Sequence, residues 1–231
     1  MHSASNIAFF HTTRWSIVLN AADAQPDALE TLCRAYWRPL YGFARRDGKS
    51  PADAEDLVQG FLARMLEKHW LQRADKDRGR FRAFLQTMFK RYVCDQYDHS
   101  SAKKRGGGVR HISLDVDGAE SQYARELAGA ESPGAAFDRA WALSVFEDAR
   151  ARLRRECEQA GRAEVHDQIQ AGKPHAEIAA ASGLSREGVS GLAMRLRKRL
   201  QELLRVVISE TVTSPEDLEE EVQALRRFLV P

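Results

Sequence analysis

The chain has 231 residues, 43% of them hydrophobic and 29% charged, with a formal net charge of +2. This is an ordinary globular balance, enough for one large domain or two small ones, each with a modest core. Cys33, Cys94 and Cys157 are odd in number, far apart and without a CxxC pair, which argues against a disulfide framework or zinc site and for a reducing compartment. Residues 1–10 lack a basic stretch followed by an apolar run, and no segment is long and apolar enough to cross a bilayer. The expectation is a cytoplasmic protein without membrane contact, metal or cofactor. The small net charge hides a segregation: Lys and Arg cluster in two places, and the C-terminal end is acidic. Such local patches matter when the partner is a polyanion.

Helical periodicity dominates, with no convincing period-two alternation, so the expected fold is all-α. A first helix is predicted over 27–45, with Leu29, Leu32, Cys33, Tyr36, Leu40 and Phe43 as its apolar stripe, broken by Gly48 and Lys49. Ser50 is suited to be an N-cap, Pro51 fits the first helical position, and Asp53 falls where a capping-box carboxylate sits. The helix begun there buries Ala54, Leu57, Val58, Phe61, Leu62, Met65 and Leu66. A third helix over 79–97 turns Phe81, Phe84, Leu85, Met88, Tyr92 and Val93 inward.

From 100 to 131 the pattern dissolves around Lys103-Lys104-Arg105-Gly106-Gly107-Gly108, which reads as a flexible interdomain linker with short ordered pieces such as 112–116. Ser132-Pro133 restarts helix, with Phe137, Trp141, Val145, Phe146 and Leu153 as core candidates. The segment 158–172 lacks comparable apolar density. The expected division is 1–99, linker 100–131, a second domain 132–208 and a C-terminal helix 209–231.

The strongest local signal lies in 177–189. Ala179 offers a small residue at a helix crossing, Gly183 a left-handed turn, and Val189 a plug that returns the second helix onto the first. The spacing is that of a DNA-reading helix-turn-helix. On the second helix Val189, Leu192, Leu196, Leu200 and Leu203 share a narrow arc at 100° per residue. The opposite arc carries Glu187, Ser190, Gly191, Met194 and Lys198, flanked by Arg186 and Arg197. Arg186, Glu187 and Ser190 stand at the N-terminal end, where recognition helices meet bases. Arg195, Arg197, Lys198 and Arg199 are better placed for phosphates.

Two other groups leave alternatives open. Asp53, Asp56, Gln59 and Ala63 point away from the apolar face of the Ser50 helix. They form either a flat acidic and amide surface for a basic partner or a solvated face favoured by the helix dipole. Phe89 and Tyr97, beside Lys90, Arg91 and Gln96 and near Lys103, Lys104 and Arg105, are either platforms for unstacked bases or core aromatics beside a solvated linker.

Three segments carry a family resemblance. Ser50-Pro51-Ala52-Asp53-Ala54-Glu55-Asp56-Leu57-Val58-Gln59-Gly60-Phe61 resembles the polymerase-binding helix of sigma domain two. Phe84-Leu85-Gln86-Thr87-Met88-Phe89-Lys90-Arg91-Tyr92-Val93-Cys94-Asp95 is similar to that domain's promoter-melting segment, and 174–204 resembles sigma domain four. Taken in order, they resemble an extracytoplasmic-function (ECF) sigma factor. Phe10-His11-Thr12-Thr13-Arg14-Trp15 and 203–229 look like a subgroup with a short C-terminal extension. Phe84 stands where the family usually has Trp, and Arg91 where it usually has Asn.

The resemblance implies two small helical domains, no catalytic residue, and core RNA polymerase and promoter DNA as partners. Asp53, Asp56, Gln59 and Ala63 are implied at the β′ clamp helices, with the β flap as a second polymerase contact. Phe89, Lys90, Arg91, Gln96, Tyr97, Lys103, Lys104 and Arg105 are implied at the minus-10 element. Arg186, Glu187, Ser190, Gly191, Met194, Arg195, Arg197 and Lys198 are implied at the minus-35 element. An anti-sigma factor or a kinase is a candidate regulator.

A competing reading is a dimeric helix-turn-helix repressor or activator with an N-terminal sensing domain. An enzyme built on Asp53, Glu55, Asp56 and His69 is disfavoured, because no His–carboxylate set with ligand spacing accompanies them. For the last helix, with Leu218, Val222, Leu225 and Leu229 on one side, two readings stand: docking on the helix-turn-helix domain, or shielding of its basic surface.

Overall fold

The computed structural model describes residues 18, 21–23, 25–73, 80–100, 116–127, 129, 132–210, 212 and 214–229. Lys103, Lys104, Arg105 and the opening motif from Phe10 to Trp15 lie outside them. Among the described residues every regular element is helical: α1 (Pro26–Arg46), α2 (Pro51–Glu67), α3 (Phe81–Ser100), α4 (Val116–Gln122), α5 (Pro133–Gln159), α6 (Ala163–Gln170), α7 (His175–Ser182), α8 (Arg186–Ser209) and α9 (Pro215–Leu229). A 3-10 turn, Trp70–Arg73, follows α2, and a π-helical turn, Tyr123–Leu127, follows α4.

The caps are where local chemistry places them. Gly48, at φ +90°, takes the backbone past the end of α1. Ser50 Oγ accepts the Asp53 N–H at 3.1 Å and donates to the Asp53 carboxylate at 2.7 Å, with Pro51 opening α2. A cap of this kind is worth about 1 kcal/mol. Ser132 and Ser214 do the same for α5 and α9, accepting from Ala135 and Asp217 at 3.1 and 3.0 Å.

The chain divides into two compact units, 1–144 together with 209–231, and 145–208, so the division falls inside α5. The first unit is built on interlocking aromatics. Phe61 of α2 lies 5.0 Å from Phe89, 5.5 Å from Tyr92 and 6.1 Å from Trp70, while Phe43 of α1 meets Phe89 at 5.4 Å and Tyr36 meets Phe81 at 5.4 Å. Most of these pairs are edge-to-face, the arrangement ring quadrupoles favour. Gly60 lets α3 approach: a Cβ there would stand 2.7 Å from the Tyr92 hydroxyl.

This core corrects one expectation. Phe89 is 0% exposed, held between Phe43 and Phe61, and offers no face to a base. Phe84 and Met88, expected inside, are half-buried. Phe89→Ala is therefore expected to cost about 3–5 kcal/mol, the usual toll of emptying an aromatic site. Urea unfolding checks this, since a surface ring would leave the midpoint unmoved.

Two further findings depart from the sequence reading. Part of the stretch read as linker forms α4 and its π turn, tied to α1 by ion pairing. The last helix groups with the first unit rather than with the helix-turn-helix. Val222 and Leu225 of α9 are buried, and Glu221, 1% exposed, sits against Arg82 and Arg80 at the start of α3. Arg82 hydrogen-bonds Glu221 Oε1 at 3.1 and 3.3 Å and approaches Oε2 at 2.9 Å off the hydrogen-bonding axis. It also pairs with Asp138 of α5 and lies 4.4 Å over the Trp141 ring, while Arg80 reaches Glu220 at 3.3 Å.

In the second unit, α8 buries Val189, Leu192, Ala193, Leu196, Leu203, Val207 and Ile208. Arg154 of α5 bonds Asp167 of α6 at 3.1 and 3.2 Å, and its guanidinium holds the Asp167 carboxyl below the usual range. His166 is buried, its Nδ1 2.9 Å from Asp167 Oδ1.

Candidate nucleic-acid interface

Three surfaces carry the residues singled out by the sequence. The first is the outer face of α2. Its buried row is Ala54, Val58, Phe61, Leu62 and Met65, and at 100° per residue Asp56 falls opposite the centre of that row. Asp56 is exposed. Gln59 and Ala63, half-buried, flank it, and the Gln59 amide donates to Glu55 at 2.9 Å. Asp53, also exposed, is engaged in capping α2. The face is thus helical and acidic.

The second surface is the C-terminal half of α3. Lys90 and Arg91 are exposed, Gln96 is half-buried, and Tyr97 keeps 49% of its surface in solvent. Tyr97 donates its hydroxyl to Asp47 at 2.9 Å, and the Lys49 ammonium stands 3.6 Å from its ring centroid. An exposed ring with a cation on it provides an aromatic face and a positive charge at one point, the pairing suited to stacking on nucleobases. Of the two aromatics proposed from sequence, this is the one whose ring reaches solvent.

The third surface is α7–α8. Gly183 closes α7 in the left-handed region at φ +70°, and Ser185 Oγ accepts the Gly188 N–H at 3.0 Å to start α8. Ile178 and Val189, one on each side of the turn, are fully buried, while Ala179, expected at the crossing, is half-buried. Arg186, Glu187, Ser190, Arg195, Arg197 and Lys198 are exposed, Gly191 is half-buried, and Met194 is 71% exposed. A Cβ on Gly191 would meet only the Arg195 guanidinium, at 3.5 Å, so the fold does not demand glycine there. Its smallness leaves room on the outer side of the helix.

Arg199 does not join the phosphate-facing set. It grips Glu156 of α5 through two bonds at 2.7 and 2.8 Å and Glu202 at 3.0 Å. The Arg199 guanidinium holds the Glu156 carboxyl below its ordinary range, so this pair anchors α8 to α5. Sequence reasoning missed it because the partner lies 43 residues away.

Among the described residues no cluster of His, Cys, Asp and Glu is placed to hold a metal ion, and no helix is long and apolar enough to cross a membrane. Residues 32–102, from the middle of α1 to just beyond α3, match the family model described as Sigma-70 region 2. No curated protein and no solved structure shows significant similarity to the chain.

Proposed function

We propose, with the region 2 match over 32–102 as premise, that the chain is a sigma factor of the ECF type that joins core RNA polymerase and directs it to promoters. The observation that carries this is the match together with a helix-turn-helix further along the chain, its outward face small and basic, in a second compact unit. One unit alone fits many DNA-binding proteins. Both in this order fit a factor that contacts a promoter at two places.

In this reading the acidic face of α2, centred on Asp56, meets the β′ clamp helices. Lys90, Arg91, Gln96 and Tyr97 receive the melted minus-10 strand, with Lys103, Lys104 and Arg105 supplying charge to its backbone. The second unit lays α8 in the major groove at the minus-35 element and contacts the β flap. Arg186, Glu187, Ser190, Gly191 and Met194 face base edges, and Arg195, Arg197 and Lys198 face phosphates. No step of this work needs a catalytic group. Regulation by an anti-sigma factor or a kinase is part of the same reading.

Run-off transcription with core polymerase on the gene's own upstream region tests it. A discrete start that depends on the chain is expected, and core enzyme that initiates no better with the chain than without it ends the proposal. Within the minus-35 surface, Arg186→Ala is expected to change which upstream sequence is preferred. Lys198→Ala should weaken all sequences alike and lower the salt slope by about one. Binding isotherms on two unrelated duplexes at several salt concentrations separate these outcomes.

A further inference from the structure

The segment between the two sequence motifs contains a buttress for the exposed aromatic on α3. Glu120 of α4 binds Arg45 of α1 through two parallel bonds, Nε to Oε2 and Nη2 to Oε1, both 2.8 Å, and accepts the Tyr41 hydroxyl at 2.6 Å. Bidentate charge-assisted pairing of this kind fixes direction as well as distance. The Arg45 guanidinium holds the Glu120 carboxyl below its ordinary range and lies 4.8 Å over the Tyr123 ring. The remaining Arg45 nitrogen, Nη1, donates to the carbonyl of Lys49.

That last bond links the buttress to the second surface. Asp47 and Lys49 belong to the short turn between α1 and α2, and these two residues hold Tyr97: Asp47 takes its hydroxyl at 2.9 Å and Lys49 covers its ring at 3.6 Å. A continuous path of contacts therefore runs from Glu120 through Arg45 and the Lys49 carbonyl to the orientation of the Tyr97 ring.

We infer that Glu120 is a positioning residue for single-stranded DNA, holding the Asp47–Lys49 turn so that Tyr97 is presented ready to stack on an unpaired nucleobase. The inference rests on the sigma-factor reading and deepens it, because it gives the segment between the two motifs a part in strand capture.

The test uses the full chain bound to core polymerase and a single-stranded oligonucleotide of the gene's non-template upstream strand carrying 2-aminopurine. Glu120→Ala is expected to weaken capture about threefold to tenfold, a part of what one stacked base contributes. The same substitution made in a Tyr97→Ala background should cost nothing further, since the two act through one ring. A loss of equal size in both backgrounds overturns the inference, because Glu120 then acts through the fold at large. So does no loss in either. If Glu120→Ala fails to fold, Glu120→Gln keeps the shape and removes the charge, and the same background comparison applies. A wild-type chain that never joins the core brings down the function and this inference together. A wild type that joins and captures the strand, matched by its Glu120 variants, overturns the inference alone.

Discussion

A chain truncated after Ile208 is expected to lose much of the stability of its first unit, rather than to gain DNA affinity through an uncovered recognition helix. The truncation removes Val222 and Leu225, both buried, whose burial is worth about 3–6 kcal/mol together. Against a total of about 5–15 kcal/mol for a domain, that leaves the unit near its unfolding point. It also strips Arg80 and Arg82 of Glu220 and Glu221, leaving Asp138 as the carboxylate beside Arg82. Unfolding followed by intrinsic tryptophan fluorescence reads the effect, with Trp141, on whose ring Arg82 lies, among the four reporters. An unchanged midpoint with tighter promoter binding would restore the shielding role.

The same cluster has a pH signature. Burial pushes the Glu221 and Asp138 carboxyls above their ordinary values, and the neighbouring arginines only partly offset it. A carboxyl whose folded pKa is raised binds protons more readily folded than unfolded. Its contribution to stability therefore grows as pH falls from the folded value towards the ordinary carboxylate value, and fades as pH rises through the same window. Glu221→Gln removes one such group. The wild type should gain more on acidification from neutral pH than this variant does, as thermal midpoints at the two ends of the window will show. Glu120 acts in the opposite sense: Arg45 lowers its pKa, so its contribution is lost as pH falls below the ordinary carboxylate range.

How much of the fold and the site was legible depends on the range of each interaction. The start of α2 was readable because Ser50, Pro51 and Asp53 settle it within four residues, and the turn before α8 because Gly183 marks a left-handed backbone. Phe89 was left between core and surface, and the resemblance placed it at DNA, although the signal for core was present. It lies four residues from both Leu85 and Val93 and shares their face of α3, but it adjoins Lys90 and Arg91, and the local charge suggested a surface. Glu221 flanks the stripe of Leu218, Val222 and Leu225, yet nothing local separates it from Glu219 and Glu220. What buries it is Arg82, 139 residues away. The Glu120 buttress was hidden for the same reason, its partner Arg45 lying 75 residues upstream in another helix. Periodicity and caps report short-range physics, and ion pairs between distant helices leave no such trace.

Asp56→Arg is expected to abolish association with core polymerase while leaving the fold intact. Asp56 is exposed on the side of α2 away from the core, so exchanging its side chain should move stability by no more than about 0.5 kcal/mol. Asp53 is a poorer probe, because its backbone N–H and carboxylate both engage Ser50 and its loss would mix capping with binding. Gln59 and Ala63 carry no charge to reverse. At an interface, a close charge pair is worth about 1.5–7 kcal/mol, and reversal replaces attraction by repulsion. Even a value in the lower half of that range, about 3 kcal/mol, lowers affinity by two orders of magnitude. Titration of labelled core against wild type and variant measures this, with far-ultraviolet circular dichroism as the control on folding. Wild-type affinity in a folded Asp56→Arg chain would move the polymerase contact off this face of α2 altogether. The acids there would then do no more than solvate the helix.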